Sequence, residues 1–150
     1  MNIRKAVQTD VPAAAELACM LWPDNTAPEM LDMFSQLLSQ SDAAVFLAES
    51  ENQPIGFAQC QLRRDYVEGT DSSPVGYLEG IFVREEYRRK GVAKALLAAC
   101  EAWAKDMAMQ PLPVPTSSRV YLAIAIIKIG GSIYHYIVPI FARIYYINSQ

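Results

Sequence analysis

The strongest constraint on this chain comes from three consecutive segments between residues 75 and 107. An almost wholly apolar run, Val75–Val83, precedes a short basic turn, and the turn opens a long amphipathic segment that reaches about Met107. A mostly apolar run is typical of a central strand that is covered on both faces. The amphipathic segment has the apolar spacing of a helix. A buried strand that leads through a glycine-containing turn into a helix predicts an α/β fold.

The turn, Arg88-Arg89-Lys90-Gly91, has the composition of an anion site. Free N–H groups at a helix start point toward an anion, and the helix dipole adds to the attraction. Gly91 and Ala93 are small enough for a phosphate to approach the backbone closely. A solvated surface turn is the alternative interpretation, but the glycine and the helix directly after it favour phosphate binding.

Glu79 is the only charged residue in the apolar run. One interpretation is a structural charge at the end of a strand, paired with an arginine. The other is a functional carboxylate, which attracts a cation and takes a proton from an amine. The residue pattern alone leaves both interpretations open.

Length and composition define the class of protein. A chain of 150 residues predicts a single domain, 1–150, and 52% apolar with 19% charged residues is a globular composition. The net charge of −3 argues against a nucleic-acid partner and fits a cationic ligand. Cys19, Cys60 and Cys100 lack the spacing of disulfides or metal ligands, so we expect reduced thiols, no metal and a cytoplasmic protein.

A family resemblance becomes specific at the turn. Arg88-x-x-Gly91-x-Ala93 after Glu79 is similar to motif A of the GNAT acetyltransferases, the pyrophosphate loop for coenzyme A. Within that superfamily, residues 2–107 resemble the aminoglycoside 6'-N-acetyltransferases. The segments that carry this closer resemblance are Leu21-Trp22-Pro23, Asp65-Tyr66-Val67, Asp71-Ser72-Ser73-Pro74 and Leu78-Glu79-Gly80-Ile81-Phe82-Val83.

The resemblance implies an α/β GNAT acyl-CoA N-acyltransferase fold, with a mixed, mostly antiparallel, splayed sheet and helices on both faces. It implies direct transfer of the acetyl group of acetyl-CoA to the 6'-amino group of aminoglycoside antibiotics, which confers resistance. We also expect a homodimer and no membrane association. Two alternatives stay open: a GNAT enzyme for another amine, such as a polyamine or a protein N-terminus, and a coenzyme A-binding remnant without turnover.

The resemblance also implies residue roles. Glu79 would be the catalytic residue, as base and as anchor for the ammonium group. Trp22 and Tyr66 would contact the aminoglycoside together with Glu79. The residues implied for acetyl-CoA lie on the splayed strand, whose backbone would hold the pantetheine arm, and around the turn, whose amides would hold the pyrophosphate. They are Ile81, Phe82, Val83, Arg88, Arg89, Lys90, Gly91, Val92, Ala93 and Lys94.

Two sets of residues near this site have a second interpretation. Trp22 ends an apolar helical stripe and is either core or a platform for substrate; its place beside Pro23 favours the pocket. Asp65, Glu68 and Asp71 are either ordinary surface acids or residues that raise the encounter rate with a polycation.

Residues 108–150 depart from the family pattern and form a divergent hydrophobic tail behind the family-like core, 1–107. The family continues with a strand, a helix and two more strands, whereas all 16 acidic residues of this chain precede Met107. Tyr134, Tyr136, Tyr145 and Tyr146 are the candidates for the general acid that the family places there.

Three accounts of the tail compete. It forms strands over Arg119–Ile129 and Ser132–Ile147, or residues 120–147 are a membrane segment, which Lys128 and Pro139 interrupt. The third account is a shift of reading frame near residue 108, and the abrupt loss of acidic residues favours it.

Overall fold

The computed structural model describes residues 1–63, 75–109, 121–129 and 132–139. Tyr66 and the three acidic residues near it in sequence, Asp65, Glu68 and Asp71, lie outside these ranges. The strands are β1 (Asn2–Lys5), β2 (Ala43–Ser50), β3 (Gln53–Arg63), β4 (Val75–Val83), β5 (Tyr121–Ile129) and β6 (Ser132–Pro139). The α-helices are α1 (Val11–Leu21), α2 (Ala27–Leu37) and α3 (Val92–Met109).

The strands form a six-stranded sheet in the order β1-β2-β3-β4-β5-β6. Neighbours are antiparallel except for β4 and β5, which are parallel. The β4–β5 ladder joins Gly76–Leu78 to Leu122–Ile124 and goes no further in the described residues, although β3 stays paired with β4 up to Val83. The predicted mixed, mostly antiparallel sheet is confirmed, and among the described residues the hydrogen-bonded ladder between β4 and β5 ends at Leu78.

Helices cover both faces of the sheet, as predicted. On one face α3 packs through Leu96 and Cys100 against Leu78 of β4. On the other face α1 and α2 cover Phe57 of β3, and Phe34 of α2 is fully buried there. Within the described ranges, no helix has the length and apolar character needed to cross a membrane.

The strand account of the tail is confirmed where the structure describes it. β5 and β6 pair antiparallel around residues 130–131, and β6 ends at Pro139. Tyr134 and Tyr136 lie on β6, whereas Tyr145 and Tyr146 lie outside the described residues. The reading-frame account stays a hypothesis about the origin of this segment.

Asp10 joins the start of α1 to the first strand. Its carboxylate oxygens accept hydrogen bonds from Arg4 Nη1 and Nη2 at 2.7 and 2.9 Å. The Val7 backbone N–H donates to the same carboxylate at 2.8 Å. These bonds, with Arg4 the main cause, hold the pKa of Asp10 below its ordinary value.

We expect Asp10→Asn to lower the free energy of unfolding at neutral pH by about 1 kcal/mol, as for a well-formed, partly exposed ion pair. Because the folded-state pKa is depressed, this stabilisation is complete above about pH 5 and is lost as the pH falls through the carboxyl range. Melting curves of the wild type and the variant should therefore converge in acid. A difference that stays constant down to about pH 2 would contradict the ionic origin.

Candidate active site

A β-bulge sets the direction of the Glu79 side chain. Gln59 pairs with Gly80 and the next residue of β3, Cys60, pairs with Leu78, so Glu79 is an extra residue in β4. Leu78 packs into the core under α3, and alternation therefore directs Glu79 toward the face covered by α1. Bulges commonly re-aim a side chain next to an active site.

Arg63 holds one of the two carboxylate oxygens of Glu79. Its Nη2 and Nε donate to Oε1 at 2.6 and 3.1 Å, and its guanidinium carbon lies 3.7 Å from the centre of the Tyr77 ring. Oε2 accepts no hydrogen bond from the described residues. Glu79 is thus paired with an arginine, as one of its two interpretations expected, and a catalytic role for Glu79 stays a prediction.

The Trp22 ring lies over the bulge beside Glu79. A Cβ atom on Gly80 would come within 2.6 Å of Trp22 Cζ2 and 2.9 Å of Cη2, so glycine allows the ring to approach the strand. Trp22 also contacts Phe57 edge to face, with ring centroids 6.0 Å apart. The half-buried ring therefore packs against the core and borders the site at the same time.

We expect Gly80→Ala to lower the free energy of unfolding by about 1–3 kcal/mol, the usual range for overpacking a core. The added methyl group would displace the Trp22 ring. A second variant tests the cause: Trp22→Phe removes the clashing ring atoms, so Gly80→Ala should be less damaging in that background. Chemical denaturation of the four proteins measures this, and equal losses in both backgrounds would refute the contact.

Gln59 is a second polar residue at this place. It lies directly opposite Gly80 and is 5% exposed, and its Oε1 atom has no hydrogen-bond partner in the described part of the chain. Alternation along β3 places it on the same face as Phe57. A buried amide group without a partner is uncommon in folded proteins and often marks a site where a ligand or water binds.

Beyond the bulge, one side of the β4 backbone lies outside the β4–β5 ladder. Ile81 and Val83 direct their side chains into the core under α3, whereas Phe82 packs toward the other face. The β4–β5 ladder ends at Leu78, so the N–H and C=O groups that follow on that side are outside it. An extended ligand arm can pair with such an edge as a strand does.

The turn before α3 adopts an unusual backbone conformation. Arg89 and Gly91 have φ angles of 58° and 81°, in the left-handed region. Ala95 N–H donates to the Gly91 carbonyl at 3.0 Å as the first α-helical bond. The amides of residues 92–94 therefore precede any intrahelical acceptor and point out of the helix start. This geometry suits a bound phosphate.

The side chains around the turn differ in what they contact. Arg88 Nε donates to the Val83 carbonyl at 2.9 Å, which braces the end of β4. Val92 is buried in the core, so a role in ligand binding would come from its backbone amide. Arg89, Lys90 and Lys94 are exposed. Roles in cofactor binding stay predictions for all of these residues.

Sequence reasoning missed Arg63, Tyr77 and Gln59. Arg63 lies on β3 and Tyr77 on β4, and only the cross-strand register brings Arg63 to Glu79. Burial is the main reason that the pKa of the Tyr77 phenol is raised. Among the described residues, no group of three or more His, Cys, Asp or Glu side chains is placed to hold a metal ion.

Comparisons with known proteins agree with this geometry. Residues 11–113 match the acetyltransferase (GNAT) family. An aminoglycoside N(6')-acetyltransferase type 1 from Stenotrophomonas maltophilia is 45% identical over 120 residues, which are 79% of this chain and 76% of the relative. A protein of the same name from Acinetobacter haemolyticus is 42% identical over 106 residues, or 71% and 72% of the two chains.

A solved structure is similar as well. AAC(6')-Iy in complex with a bisubstrate analogue, CoA-S-monomethyl-acetylneamine, superposes with a TM-score of 0.69 at 38% identity. The match covers 73% of this chain and 74% of that one. The chain therefore belongs to the acetyltransferase (GNAT) family and, within it, to the aminoglycoside 6'-N-acetyltransferases.

Proposed function

We propose that this chain transfers the acetyl group of acetyl-CoA to the 6'-amino group of an aminoglycoside. Relatives at 42–45% identity carry that name. The observation in this chain that carries the proposal is the position of Glu79. It projects from a bulge next to Trp22, just after the last residue of β4 in the ladder with β5. A carboxylate thereby lies next to strand backbone that is outside this ladder.

Acetyl-CoA fits two neighbouring features of the chain. Its pantetheine arm would extend along β4 at residues 81–83, on the side that lies outside the β4–β5 ladder. Its pyrophosphate would bind the amides from Arg89 to Lys94. The helix dipole of α3 and the exposed basic side chains of the turn add to the attraction for the diphosphate. The thioester would then lie beside Phe82, near the bulge that carries Glu79.

Glu79 would serve both as anchor and as base. An ammonium group cannot attack a thioester, so it must first lose a proton, directly or through water, to a nearby acceptor. Oε2 of Glu79, which accepts no hydrogen bond from the described residues, would bind the 6'-ammonium group and accept that proton. The amine nitrogen would then attack the thioester carbonyl carbon, and a backbone N–H near Phe82 would stabilise the oxyanion. Collapse of this intermediate breaks the C–S bond, and the departing coenzyme A thiolate takes up the proton that the nitrogen loses as it becomes an amide.

Location and assembly belong to the same proposal. Cys19, Cys60 and Cys100 are all free thiols, and a hydrogen bond with Cys60 together with burial raises the pKa of the Cys100 thiol. Unpaired buried thiols are typical of the cytoplasm. We also propose a homodimer formed through the C-terminal part, which light scattering of the purified protein would test.

An acetylation assay tests the proposed function. The protein and acetyl-CoA are incubated with kanamycin, spermidine or a peptide, and products are identified by mass spectrometry with fragmentation. We expect kanamycin acetylated at the 6'-amino group. Acetylation of spermidine or the peptide in preference to kanamycin would favour a GNAT enzyme for another amine. Calorimetric binding of acetyl-CoA without acetylation of any amine would favour a remnant.

A further inference from the structure

Arg63 binds only one of the two carboxylate oxygens of Glu79. Both donated hydrogen bonds reach the same oxygen, Oε1, at 2.6 and 3.1 Å. The guanidinium carbon in turn lies 3.7 Å from the centre of the Tyr77 ring. Arg63, in contact with Tyr77, thus holds one oxygen of the carboxylate, and the other oxygen has no hydrogen bond from the described residues.

This arrangement restricts the Glu79 carboxylate. A glutamate side chain has three rotatable bonds, and its last torsion is broad, so an unsupported carboxylate samples many orientations. Two N–H groups of a planar guanidinium define the direction of Oε1, and the Tyr77 ring supports the guanidinium. With Oε1 held, the orientations open to Oε2 are restricted, and Oε2 is the oxygen that could meet an incoming amine.

We propose that Arg63 is a positioning residue, which orients Glu79 so that Oε2 meets the ammonium group of the substrate. The inference rests on the proposed function, because it concerns the same carboxylate. It goes further in assigning the orientation of the base to a specific arginine. A stabilising role alone would be a weak explanation for the Arg63–Glu79 ion pair, because partly exposed ion pairs add little to the free energy of unfolding. Arg63 has additional interactions, so its test must isolate the part that acts through Glu79.

A double-mutant cycle isolates the effect of Arg63 on turnover that acts through Glu79. The wild type, Arg63→Gln, Glu79→Gln and the double variant are compared by kcat and KM for kanamycin and for acetyl-CoA. We expect Arg63→Gln to lower kcat by about tenfold in the wild type, equivalent to about 1.4 kcal/mol. In the Glu79→Gln background the same change should have less than about a twofold effect, because there is no carboxylate left to orient. The KM for acetyl-CoA should not change.

The chain offers a closely matched control. Arg4 donates to Glu49 Oε1 through Nη2 and Nε at 2.6 and 3.1 Å, far from the bulge, and its side chain is 37% exposed, like that of Arg63. Arg4 also binds Asp10, so its substitution removes that ion pair as well. Arg4→Gln should therefore change stability but leave kcat as in the wild type. Equal losses of kcat from Arg63→Gln in both backgrounds, or losses matched by Arg4→Gln, would overturn the inference.

A crystallographic comparison tests the role of Arg63 without relying on enzyme activity. Crystal structures of the wild type and of Arg63→Gln should differ at Glu79, whose carboxylate should leave its position or divide between conformers in the variant. A carboxylate that stays in place without Arg63 would overturn the inference even if the protein is inactive. Absence of kanamycin acetylation by the wild type would instead count against the proposed function.

Discussion

Glu79→Gln is expected to lower kcat/KM for kanamycin by about 10²- to 10⁴-fold, the usual contribution of a general base. Glutamine has nearly the same size and its Oε1 can still accept hydrogen bonds from Arg63. It lacks the negative charge that attracts an ammonium group and the basicity that removes its proton. Steady-state kinetics with kanamycin measures the loss, and calorimetry should show unchanged affinity for acetyl-CoA.

Glu49→Gln is the matched control for this substitution. Glu49 makes the same two hydrogen bonds with Arg4 that Glu79 makes with Arg63, and the two carboxylate side chains are 20% and 19% exposed. Both variants should lose a similar, small part of the unfolding free energy. Only Glu79→Gln should lose activity. A Glu79→Gln protein that keeps more than about half of the wild-type kcat/KM would remove Glu79 from the chemistry.

Ala93→Pro is expected to weaken acetyl-CoA binding by about 10- to 100-fold while the fold persists. Proline lacks the backbone N–H, and a hydrogen bond to a charged group contributes about 1.5–3 kcal/mol. Proline is tolerated at this place because Pro12 and Pro28 are the second residues of α1 and α2, as Ala93 is of α3. Calorimetric titration with acetyl-CoA measures the change.

Two further measurements on the Ala93→Pro protein distinguish loss of the Ala93 backbone N–H from damage to α3. Circular dichroism should show wild-type helix content and a melting temperature close to that of the wild type. Affinity for kanamycin alone should be unaltered, since Ala93 is on the opposite side of β4 from Trp22. An intact helix with unchanged acetyl-CoA affinity would exclude the Ala93 amide from the phosphate site.

The part of the fold that sequence predicts best is the part with strong local periodicity. Val75–Val83 has the same bounds in the predicted and observed strand, and the helix after Gly91 differs only in extending to Met109. In such elements the spacing of apolar residues along the sequence indicates which side chains are buried, so the element can be predicted locally.

The interior of the site was less predictable because it depends on register. A bulge is a local change in pairing that leaves no periodic signal, so the alignment of Glu79 with Arg63 and of Gly80 with Gln59 could not be read from spacing. Gly80 lies within a recognised motif, but the reason for a glycine emerges only from the closeness of the Trp22 ring. Residue identity suggested which groups carry chemistry, and pairing between strands determined which of them meet.

The tail shows a further limit. One of three accounts of the tail placed strands over Arg119–Ile129 and Ser132–Ile147, and β5 and β6 confirm that account over Tyr121–Ile129 and Ser132–Pro139. Nothing in the local patterns specifies that β5 joins β4 in parallel over only three residues. That short ladder is a long-range property, and the free edge proposed for the pantetheine arm depends on it.

A crystal structure of the protein with bound acetyl-CoA tests the central claim most directly. The account predicts pyrophosphate oxygens within hydrogen-bond distance of amides between Arg89 and Lys94. It also predicts a pantetheine arm along β4 and an acetyl group that faces Glu79. Acetyl-CoA bound away from the β4 edge, or a pyrophosphate that contacts none of these amides, would contradict it.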